Sequence, residues 1–492
     1  MTLVLNLTLG FCNASAEFNL GFLQFGIDSE SKREYNYEHT IESMKRYAIE
    51  KLKKWKDHPF RKPLLLMGAR QVGKTWLMQE FGRLHFKNVA YIRFDNSERA
   101  RRAFSIDFDI PRLLEAISIE GKCVVEPQNT LIILDEIQEC PAALTSLKYF
   151  CEEAWEYAVV AAGSLLGVAD HVGTGFPVGK VDRLNLYPMS FCEFLEAIGQ
   201  AQLATLLQKR DWKLINHFED LYIRYLRTYL YVGGMPGVVQ VYDKLRNFEE
   251  VRQAQLNLLR DYREDFSKHA PTESQPRLNM VWDSVPQQLA RENKRFVYSD
   301  VYDGARRKAL EIPLRWLQDA GLIHPVPRIK KPALPMLSYW ESGISKVYFL
   351  DVGLLSAVSG LDAGTLLDGD DIFSEFKGAL AEQFVQQELR ATCDLAPCYW
   401  ASEEKNAKAE VDFLCTLRGN IIPIEVKSGG NLRARSLLVY CQRFQPRHAV
   451  RSSLRPYSTS EYAFKTPLYS HTAALLTDLP LYAISQLPAV IE

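Results

Sequence analysis

The sequence lacks the features that mark membrane, disulfide-rich or strongly basic proteins. No stretch reaches the roughly 18 consecutive apolar residues that a membrane helix needs, so no membrane partner is expected. The nine cysteines are scattered from Cys12 to Cys441 without C-x-x-C or zinc-type His/Cys spacing, which favours reduced cytoplasmic thiols. Lys and Arg total 59 against 60 Asp and Glu, so any basic surface for nucleic acid must be local.

The 492-residue length predicts three or four domains, at about 100–200 residues each. Residues 1–43 show little helix or strand periodicity. Their mildly apolar start, MTLVLNLTLGFCNASA, has no basic n-region, which argues against a secretory signal. A regular basic helix begins at Met44. We therefore expect residues 1–43 to be a disordered extension, or Met44 to be the natural start.

Short apolar runs alternate with amphipathic segments over the next part of the chain. Examples of these runs are PLLLM, VAYIRF, TLIILD and AVVAAG. The alternation predicts a parallel β-sheet flanked by helices. Residues 201–275 are nearly free of strand patterns and are expected to be helical, with a GGMPG turn at 233–237.

Residues 276–370 have the outline of a winged helix-turn-helix. A leucine stripe follows the helix period, Gly321 can end the helix, and IHPVPRI then continues as an extended segment. Such modules bind DNA or brace neighbouring domains. The acidic Glu311 and Asp319 on the last helix leave both alternatives open.

A phosphate-binding motif starts at Gly68. The string GARQVGKT matches G-x-x-x-x-G-K-[ST] and lies between an apolar strand and a helix. In such a loop the backbone N–H groups surround phosphate oxygens, the lysine neutralises the β- and γ-phosphates, and the threonine ligates Mg²⁺. We therefore expect ATP and Mg²⁺ as cofactors. The predicted nucleotide-contacting residues are Gly68, Ala69, Arg70, Gln71, Val72, Gly73, Lys74 and Thr75.

Two acids follow at the end of the apolar run TLIILDEIQ. Asp135 is expected to complete the Mg²⁺ site with Thr75, and Glu136 to orient or deprotonate the attacking water. Acids at a strand end can also be a solvated helix start. Together with the loop and its Lys74, however, they indicate an enzyme that hydrolyses ATP.

Several separated sequence blocks resemble one protein family. These blocks are GARQVGKT, LIILDEIQ, LYPMSFCEFL, GGMPG, VYFLDVGLL, FKGALAEQFVQQEL, EVDFL and IEVKSG. Over roughly residues 44–470 they resemble the prokaryotic predicted AAA-type ATPases that end in an uncharacterised restriction-endonuclease-like domain. The resemblance implies an α/β chain throughout. Its expected parts are 1–43 (extension), 44–200 (AAA-type P-loop parallel sheet), 201–275 (helical lid), 276–370 (winged-helix connector) and 371–492 (nuclease-like α/β domain).

Two further ATPase residues are suggested at this stage. Ser164, after the strand AVVAAG, resembles the sensor-1 position of AAA-type ATPases, although a serine there can simply cap a helix. Arg183 is a candidate transition-state arginine supplied across a homo-oligomer interface, and the alternative is an ordinary surface charge. The GGMPG turn carries no arginine of its own.

The segments VDFLCTLR and IIPIEVKS predict a β-hairpin in the last domain. With Gly419-Asn420 as a two-residue loop, Asp412 lies opposite Lys427 and diagonal to Glu425. The three side chains then share one face, because strand side chains alternate with period two. The carboxylates of Asp412 and Glu425 are expected to hold one divalent ion. A three-residue loop would move Asp412 to the other face.

Glu382 adds an acid from a helix that precedes this hairpin. It lies on the apolar stripe of FKGALAEQFVQQEL, where a carboxylate must find a partner. With Asp412 and Glu425-x-Lys427 it resembles the PD-(D/E)XK nuclease pattern, in which carboxylates hold Mg²⁺ and the lysine positions or activates water. All four are therefore candidate catalytic residues. The alternatives are a solvated Glu–Lys pair and a fold retained for binding alone.

The 427–455 stretch carries a local excess of positive charge. It contains seven basic residues and no acid: Lys427, Arg433, Arg435, Arg443, Arg447, Arg451 and Arg455. Interspersed aromatics, Tyr440, Phe444 and Tyr457, add to a pattern that fits contact with DNA. The alternative is a solvated helix face or a contact with an acidic domain.

Three functional hypotheses follow from these patterns. The first is a Mg²⁺-dependent ATPase whose cycle controls a C-terminal domain that processes or binds nucleic acid. The second is a nucleotide-dependent switch or scaffold whose nuclease-like domain is inert and binds DNA or a protein partner. The third is a winged-helix regulator that binds a specific DNA sequence.

Overall fold

The computed structural model describes residues 44–163, 177–291, 293–367, 375–402, 409–428, 435–464 and 472–491. These residues belong to one compact unit of the chain. Within these ranges no helix has both the length and the apolar character needed to cross a membrane.

Strands and helices alternate in the first part of the chain, and longer helical stretches follow. The strands are β1 (Leu64–Met67), β2 (Asn88–Arg93), β3 (Thr130–Asp135), β4 (Ala158–Ala162), β5 (Asp182–Asn185), β6 (Ile323–Ile329), β7 (Trp340–Phe349), β8 (Cys398–Ala401), β9 (Glu410–Leu417), β10 (Asn420–Val426), β11 (His448–Ser453), β12 (Ser458–Phe464) and β13 (Thr472–Pro480).

The helices connect and cover these strands. They are α1 (Ala48–Lys56), α2 (Lys74–His85), α3 (Glu98–Phe104), α4 (Ile110–Glu120), α5 (Pro141–Glu153), α6 (Phe191–Ala197), α7 (Ala201–Lys209), α8 (Trp212–His217), α9 (Glu219–Val232), α10 (Pro236–Leu245), α11 (Phe248–His269), α12 (Gln275–Leu289), α13 (Arg307–Asp319), α14 (Val352–Val358), α15 (Ala363–Leu367), α16 (Glu375–Ala391), α17 (Arg435–Phe444) and α18 (Leu487–Val490).

The first sheet contains five parallel strands in the order β2-β3-β4-β1-β5. Alternate residues of β3 enter two different apolar clusters. Leu131 and Ile133 pack in the cluster that contains α2, whereas Ile132 and Leu134 pack in the one that contains α4 and α5. Helices therefore cover both faces, which explains why the strand is apolar at consecutive positions. The predicted parallel sheet flanked by helices is confirmed.

Residues 201–275 contain helices and turns but no strand. Their GGMPG turn is clamped on both sides by distant segments. The backbone N–H of Met189 donates to the carbonyl oxygen of Gly234 at 2.7 Å, and the Gly234 N–H donates to Asp351 Oδ2 at 2.7 Å. Burial raises the pKa of Asp351 to about 6. The turn therefore ties the first sheet to the segment that follows β7.

Two helices and a β-hairpin follow, with α12 and α13 leading into β6 and β7. α13 ends as predicted at Gly321, whose φ is 71°. The Gly321 N–H donates to Gln318 O and the Leu322 N–H donates to Leu317 O, each at 2.9 Å. This is the Schellman pattern, in which a left-handed glycine satisfies the last helical carbonyls.

The second sheet is mixed and contains eight strands in the order β12-β13-β11-β10-β9-β8-β6-β7. The hairpin β6–β7 joins the C-terminal strands through one parallel pair, Arg328 with Tyr399. β7 is the outermost strand on that side. The second sheet therefore contains strands from both sides of the expected boundary at residue 370, and the boundary itself lies outside the described residues.

The hairpin β9–β10 corrects the predicted register. Asn420 pairs with Leu417, so the loop is Arg418-Gly419 rather than Gly419-Asn420. Both loop residues have positive φ, 46° and 76°, as a type I′ turn requires. Continuing the register by one pair places Asp412 opposite Glu425 instead of opposite Lys427. Because the shift moves each partner by two residues, the same side chains still share one face.

The GGMPG turn provides a matched test of this packing. A Cβ on Gly234 would overlap the Met189 carbonyl oxygen, whereas a Cβ on Gly237 would meet no atom within 4 Å. We expect Gly234→Ala to lower the free energy of unfolding by about 1–3 kcal/mol or more, as overpacking does. Gly237→Ala, in α10, should be neutral or stabilising by up to about 1 kcal/mol. Denaturant unfolding measures both, and equal stabilities would contradict the packing.

Candidate functional sites

The phosphate-binding motif forms a tight loop between β1 and α2. A Cβ on Gly68 would collide with the Leu186 carbonyl oxygen, so a larger residue does not fit there. Gly73 has a φ of 93° and directly precedes α2, which begins at Lys74. The loop therefore leaves its backbone N–H groups and the helix N-terminus at one place, which is the arrangement that binds phosphate.

The Lys74 side chain curls back over this loop. Its Nζ donates to the carbonyl oxygens of Gly68 and Ala69, each at 3.0 Å. Burial lowers the pKa of Lys74 to about 8, an effect opposed by the carboxylates of Glu136 and Asp135. A phosphate would replace the carbonyl oxygens as the partner of the ammonium group and favour its charged form.

Asp135 lies at the carboxyl end of β3 beside the start of α2. Its Oδ2 accepts from Thr75 Oγ1 at 2.7 Å and from the Tyr91 hydroxyl at 2.9 Å, and its Oδ1 accepts from the Glu136 N–H at 3.1 Å. Burial raises the pKa of Asp135 above its usual value. The hydroxyl and carboxylate supply the oxygen ligands that Mg²⁺ prefers, so the predicted pair fits that ion.

Tyr91 was not predicted from the sequence. It lies on β2, which pairs with β3, and a hydroxyl in the otherwise apolar run VAYIRF was the available signal. Glu136 has a φ of 51°, a left-handed conformation that is uncommon for a non-glycine residue. Its Oε2 accepts from Gln138 Nε2 at 2.6 Å.

Contacts with residues outside the motif hold the loop in place. Arg70 pairs with Asp265 of α11 at 2.6 Å, and Gln71 Nε2 donates to Asp261 of the same helix at 3.0 Å. Arg46 donates to the Val72 carbonyl oxygen at 2.7 Å and to the Tyr187 carbonyl oxygen at 2.6 Å. The helical region and the segment before α1 therefore both contact the loop, and neither contact was predicted.

The roles predicted for two ATPase residues, Ser164 and Arg183, are not tested by the described residues. Ser164 lies outside the described residues, although β4, the strand before it, does lie between β1 and β3. Arg183 lies on the edge strand β5, paired with Leu65, and its side chain is exposed. Both roles stay predictions.

The predicted C-terminal acids come together around a lysine that the sequence did not point to. Lys346 of β7 is fully buried. Its Nζ lies 2.6 Å from Glu410 Oε1, 3.3 Å from Glu382 Oε2 and 3.7 Å from Asp412 Oδ1. The Tyr399 ring lies 5.2 Å from the same ammonium group. The available signal was a lysine within the apolar strand KVYFL.

Both carboxylate oxygens of Glu382 have partners within the protein. Lys294 binds its Oε1, and the Tyr348 hydroxyl donates to its Oε2 at 2.9 Å beside Lys346. Burial alone would raise the pKa of Glu382, but these two lysines lower it to about 2. The helix acid was expected to be catalytic. The structure instead gives it ammonium and hydroxyl partners.

Asp412 and Glu425 face each other across β9 and β10. Asp412 Oδ2 accepts from the Val426 N–H at 2.8 Å, and Glu425 Oε1 accepts from Lys427 Nζ at 2.7 Å. Glu425 Oε2 is buried without a hydrogen-bond partner. Burial, reinforced by Glu382 and Glu425, raises the pKa of Asp412 well above its usual value. Four carboxylates face three lysines here.

This cluster does not fit a divalent metal as it stands. The described part of the chain contains no group of three or more His, Cys, Asp or Glu side chains arranged to hold a metal ion. Glu382 is fully engaged, and Lys346 occupies the space between three of the acids. The predicted metal pair Asp412 and Glu425 is therefore assembled, but with a lysine rather than an open position beside it.

The described residues of the basic stretch, 427–428 and 435–455, include side chains that pair or pack within the protein. Arg451 pairs with Asp478 at 2.6 and 2.8 Å, and Arg433 lies outside the described residues. The three aromatics pack against protein: Tyr440 and Phe444 contact Trp400, and Tyr457 stacks on Trp212. These three rings therefore have protein partners, and contact of the stretch with DNA stays a prediction. Exposed arginines remain at 435, 443, 447 and 455.

Three family models match separate parts of the chain. Residues 60–195 match an AAA domain. This part of the chain is similar to AAA-type P-loop domains. Residues 223–365 match a domain of unknown function (DUF8612), and residues 377–469 match another (DUF4143). The nucleotide site lies in the first match, and Glu382, Asp412, Glu425 and Lys427 lie in the last.

Three similar solved structures share 11–13% identity with this chain. The Walker-type ATPase PABY2304 of Pyrococcus abyssi has 13% identity and a TM-score of 0.40, covering 63% of this chain and 94% of its own. The Aeropyrum pernix Orc1 protein in complex with DNA has 13% identity and a TM-score of 0.26, covering 64% and 90%. Cdc6p from Pyrobaculum aerophilum has 11% identity and a TM-score of 0.22, covering 64% and 92%. No curated protein matches.

The lowered pKa of Lys74 predicts a pH dependence of nucleotide binding. Below pH 8 the free protein already carries the ammonium group that phosphate requires. Above that pH, binding must restore the proton, so the association constant for MgATP should fall by up to about tenfold per pH unit. Calorimetry in buffers of different ionisation enthalpy would detect the proton uptake. An association constant that stays level between about pH 7 and about pH 9.5 would contradict this assignment.

Proposed function

We propose that this protein binds ATP with Mg²⁺ at the loop 68–75 and hydrolyses it. The observation that carries the proposal is the direct contact of Thr75 with Asp135 beside the glycine loop. Lys74 would leave its two carbonyl partners to neutralise the β- and γ-phosphates. Thr75 and Asp135 would hold Mg²⁺, which neutralises developing charge on the phosphates.

Glu136 would orient or deprotonate the attacking water in this proposal. It follows the Mg²⁺-binding acid directly, and its left-handed backbone turns the chain sharply at the end of β3. Ser164 and a trans Arg183 are proposed to sense and stabilise the γ-phosphate. A homo-oligomer is needed for the second of these roles.

We further propose that nucleotide state controls the C-terminal domain through α16. One route runs from the loop to this helix in three contacts. Arg46 binds the Val72 carbonyl oxygen and also Glu193, which caps the N-terminus of α6. At that terminus the Phe191 N–H donates to Glu388 Oε1 of α16 at 2.8 Å.

The same helix continues to the acidic cluster, which is formed by Glu382, Glu410, Asp412 and Glu425. Glu382 lies on α16 with Glu388, and it is held by Lys294 and Lys346. Between them, Gln383 binds both the N–H and the carbonyl oxygen of Phe349, each at 2.8 Å. A shift of α16 would therefore alter contacts that lead to the nucleotide loop and contacts within the acidic cluster.

The C-terminal domain is proposed to bind or process nucleic acid, in a nuclease-like fold. A second candidate, the switch or scaffold with an inert C-terminal domain, is favoured by one observation. Lysines, not an open metal site, fill the space between its acids. The winged-helix connector at α12, α13 and β6–β7 is proposed as the brace between the two parts, and contact with DNA remains an alternative role for it.

Substitutions in the loop test the ATPase proposal. Lys74→Ala should abolish MgATP binding and turnover. Glu136→Gln should keep binding but lower turnover by about 10²–10⁴-fold, the usual loss for a general base. Lys54→Ala removes an exposed lysine of α1 and should leave both unchanged. A phosphate-release assay and calorimetry measure the two quantities, and turnover that survives Lys74→Ala would rule the proposal out.

Hydrogen exchange tests the coupling through α16. A non-hydrolysable ATP analogue should change amide protection over residues 409–428 in the unmodified protein. Glu388→Ala removes the acceptor of the Phe191 N–H, so it should reduce this response while nucleotide affinity stays the same. Glu388→Gln keeps an acceptor and should retain the response. Unchanged protection over 409–428 on nucleotide binding would exclude this route.

A further inference from the structure

The acidic cluster contains its own cations. Four carboxylates, from Glu382, Glu410, Asp412 and Glu425, lie with three ammonium groups in and around the protein interior. Buried carboxylates are retained only when they are paired, protonated or bound to a metal. Lys427 and Lys294 each bind one carboxylate, at the sides of the cluster. The third lysine, Lys346, lies at the centre and contacts three carboxylates.

Lys346 meets the requirements of a central cation. It is fully buried, and its ammonium group has three N–H donors for three carboxylates within 3.7 Å. Burial alone would lower the pKa of Lys346, but Glu382 raises it well above the usual value, with Tyr348, Glu410 and Asp412 adding to this effect. A divalent ion held by Asp412 and Glu425 would need carboxylate oxygens of Asp412 at about 2.0–2.6 Å, and Lys346 Nζ lies 3.7 Å from one of these oxygens. The two cations therefore compete for one place.

We propose that Lys346 is the resident cation of this cluster and that it excludes Mg²⁺ or Mn²⁺ from Asp412 and Glu425 in this arrangement. Lys346 belongs to β7, the outermost strand of the sheet, so the exclusion is imposed by the segment that precedes the C-terminal domain. Glu425 Oε2 has no hydrogen-bond partner, so this oxygen could still bind a cation. Exclusion of a divalent ion by Lys346 depends on this cluster alone and does not require ATP hydrolysis.

Mn²⁺ binding without nucleotide tests the proposal. All proteins carry Asp135→Asn so that the nucleotide site does not contribute, and Mn²⁺ is followed by electron paramagnetic resonance and calorimetry. The protein with Lys346 should show no Mn²⁺ site that depends on Asp412. Lys346→Met should bind one Mn²⁺ at least about tenfold more tightly, because a like charge near the ion is gone. Adding Asp412→Asn should remove that site.

Controls separate exclusion by Lys346 from general effects of charge and folding. Lys51→Met removes a distant lysine that pairs with exposed Asp394 and should not create a Mn²⁺ site. Lys346→Met/Glu410→Gln removes one charge of each sign and therefore leaves the net charge of the cluster unchanged. It replaces the single variant if Lys346→Met alone fails to fold. Thermal unfolding and circular dichroism establish folding for each variant.

Two results would overturn the proposal. One is a Mn²⁺ site that is present in the protein that retains Lys346 and is lost when Asp412→Asn is added to it. The other is a folded Lys346→Met or Lys346→Met/Glu410→Gln protein that gains no Mn²⁺ affinity. Both results could be interpreted even if this protein showed no ATPase activity, because Mn²⁺ binding is measured without nucleotide.

Discussion

Charge neutralisation inside the protein is the constraint on which the C-terminal half of the structure depends. Lys346 has no access to water, so acids must surround it. These acids come from α16 and β9, and β10 completes the cluster. Removing one partner of such a group costs about 3–5 kcal/mol, because the remaining charge stays buried. The hairpin β6–β7 and the C-terminal strands are therefore fixed to each other by electrostatics as well as by backbone pairing.

The helix α16 gives this cluster a connection to the ATPase domain. Its buried polar side chains reach backbone groups of three separate segments: Phe191 before the lid, Phe349 at the end of β7 and Val352 at the start of α14. Burial raises the pKa of Glu388 to about 8. Polar contacts of this kind depend on direction, and they are lost by small movements that an apolar interface would tolerate.

Features set by contiguous sequence were predictable, and features set by distant partners were not. The phosphate loop and the parallel sheet follow from a local motif and local apolar runs. The β9–β10 hairpin was placed correctly by face but not by register, because a left-handed Arg418 is uncommon and Gly419-Asn420 looked equally suitable as the loop. Lys346 precedes Asp412 by many residues, and no pattern within β7 indicates which acids its side chain contacts.

The amide of Gln383 has a further consequence for the outer edge of the second sheet. A strand at a sheet edge offers free N–H and carbonyl groups to any other extended chain, which is a common start of aggregation. Gln383 occupies both groups of Phe349, and the Phe296 N–H occupies the Ser345 carbonyl oxygen farther along β7. A side-chain amide thus acts as a one-residue substitute for a neighbouring strand, and it blocks pairing between molecules at this point of the edge.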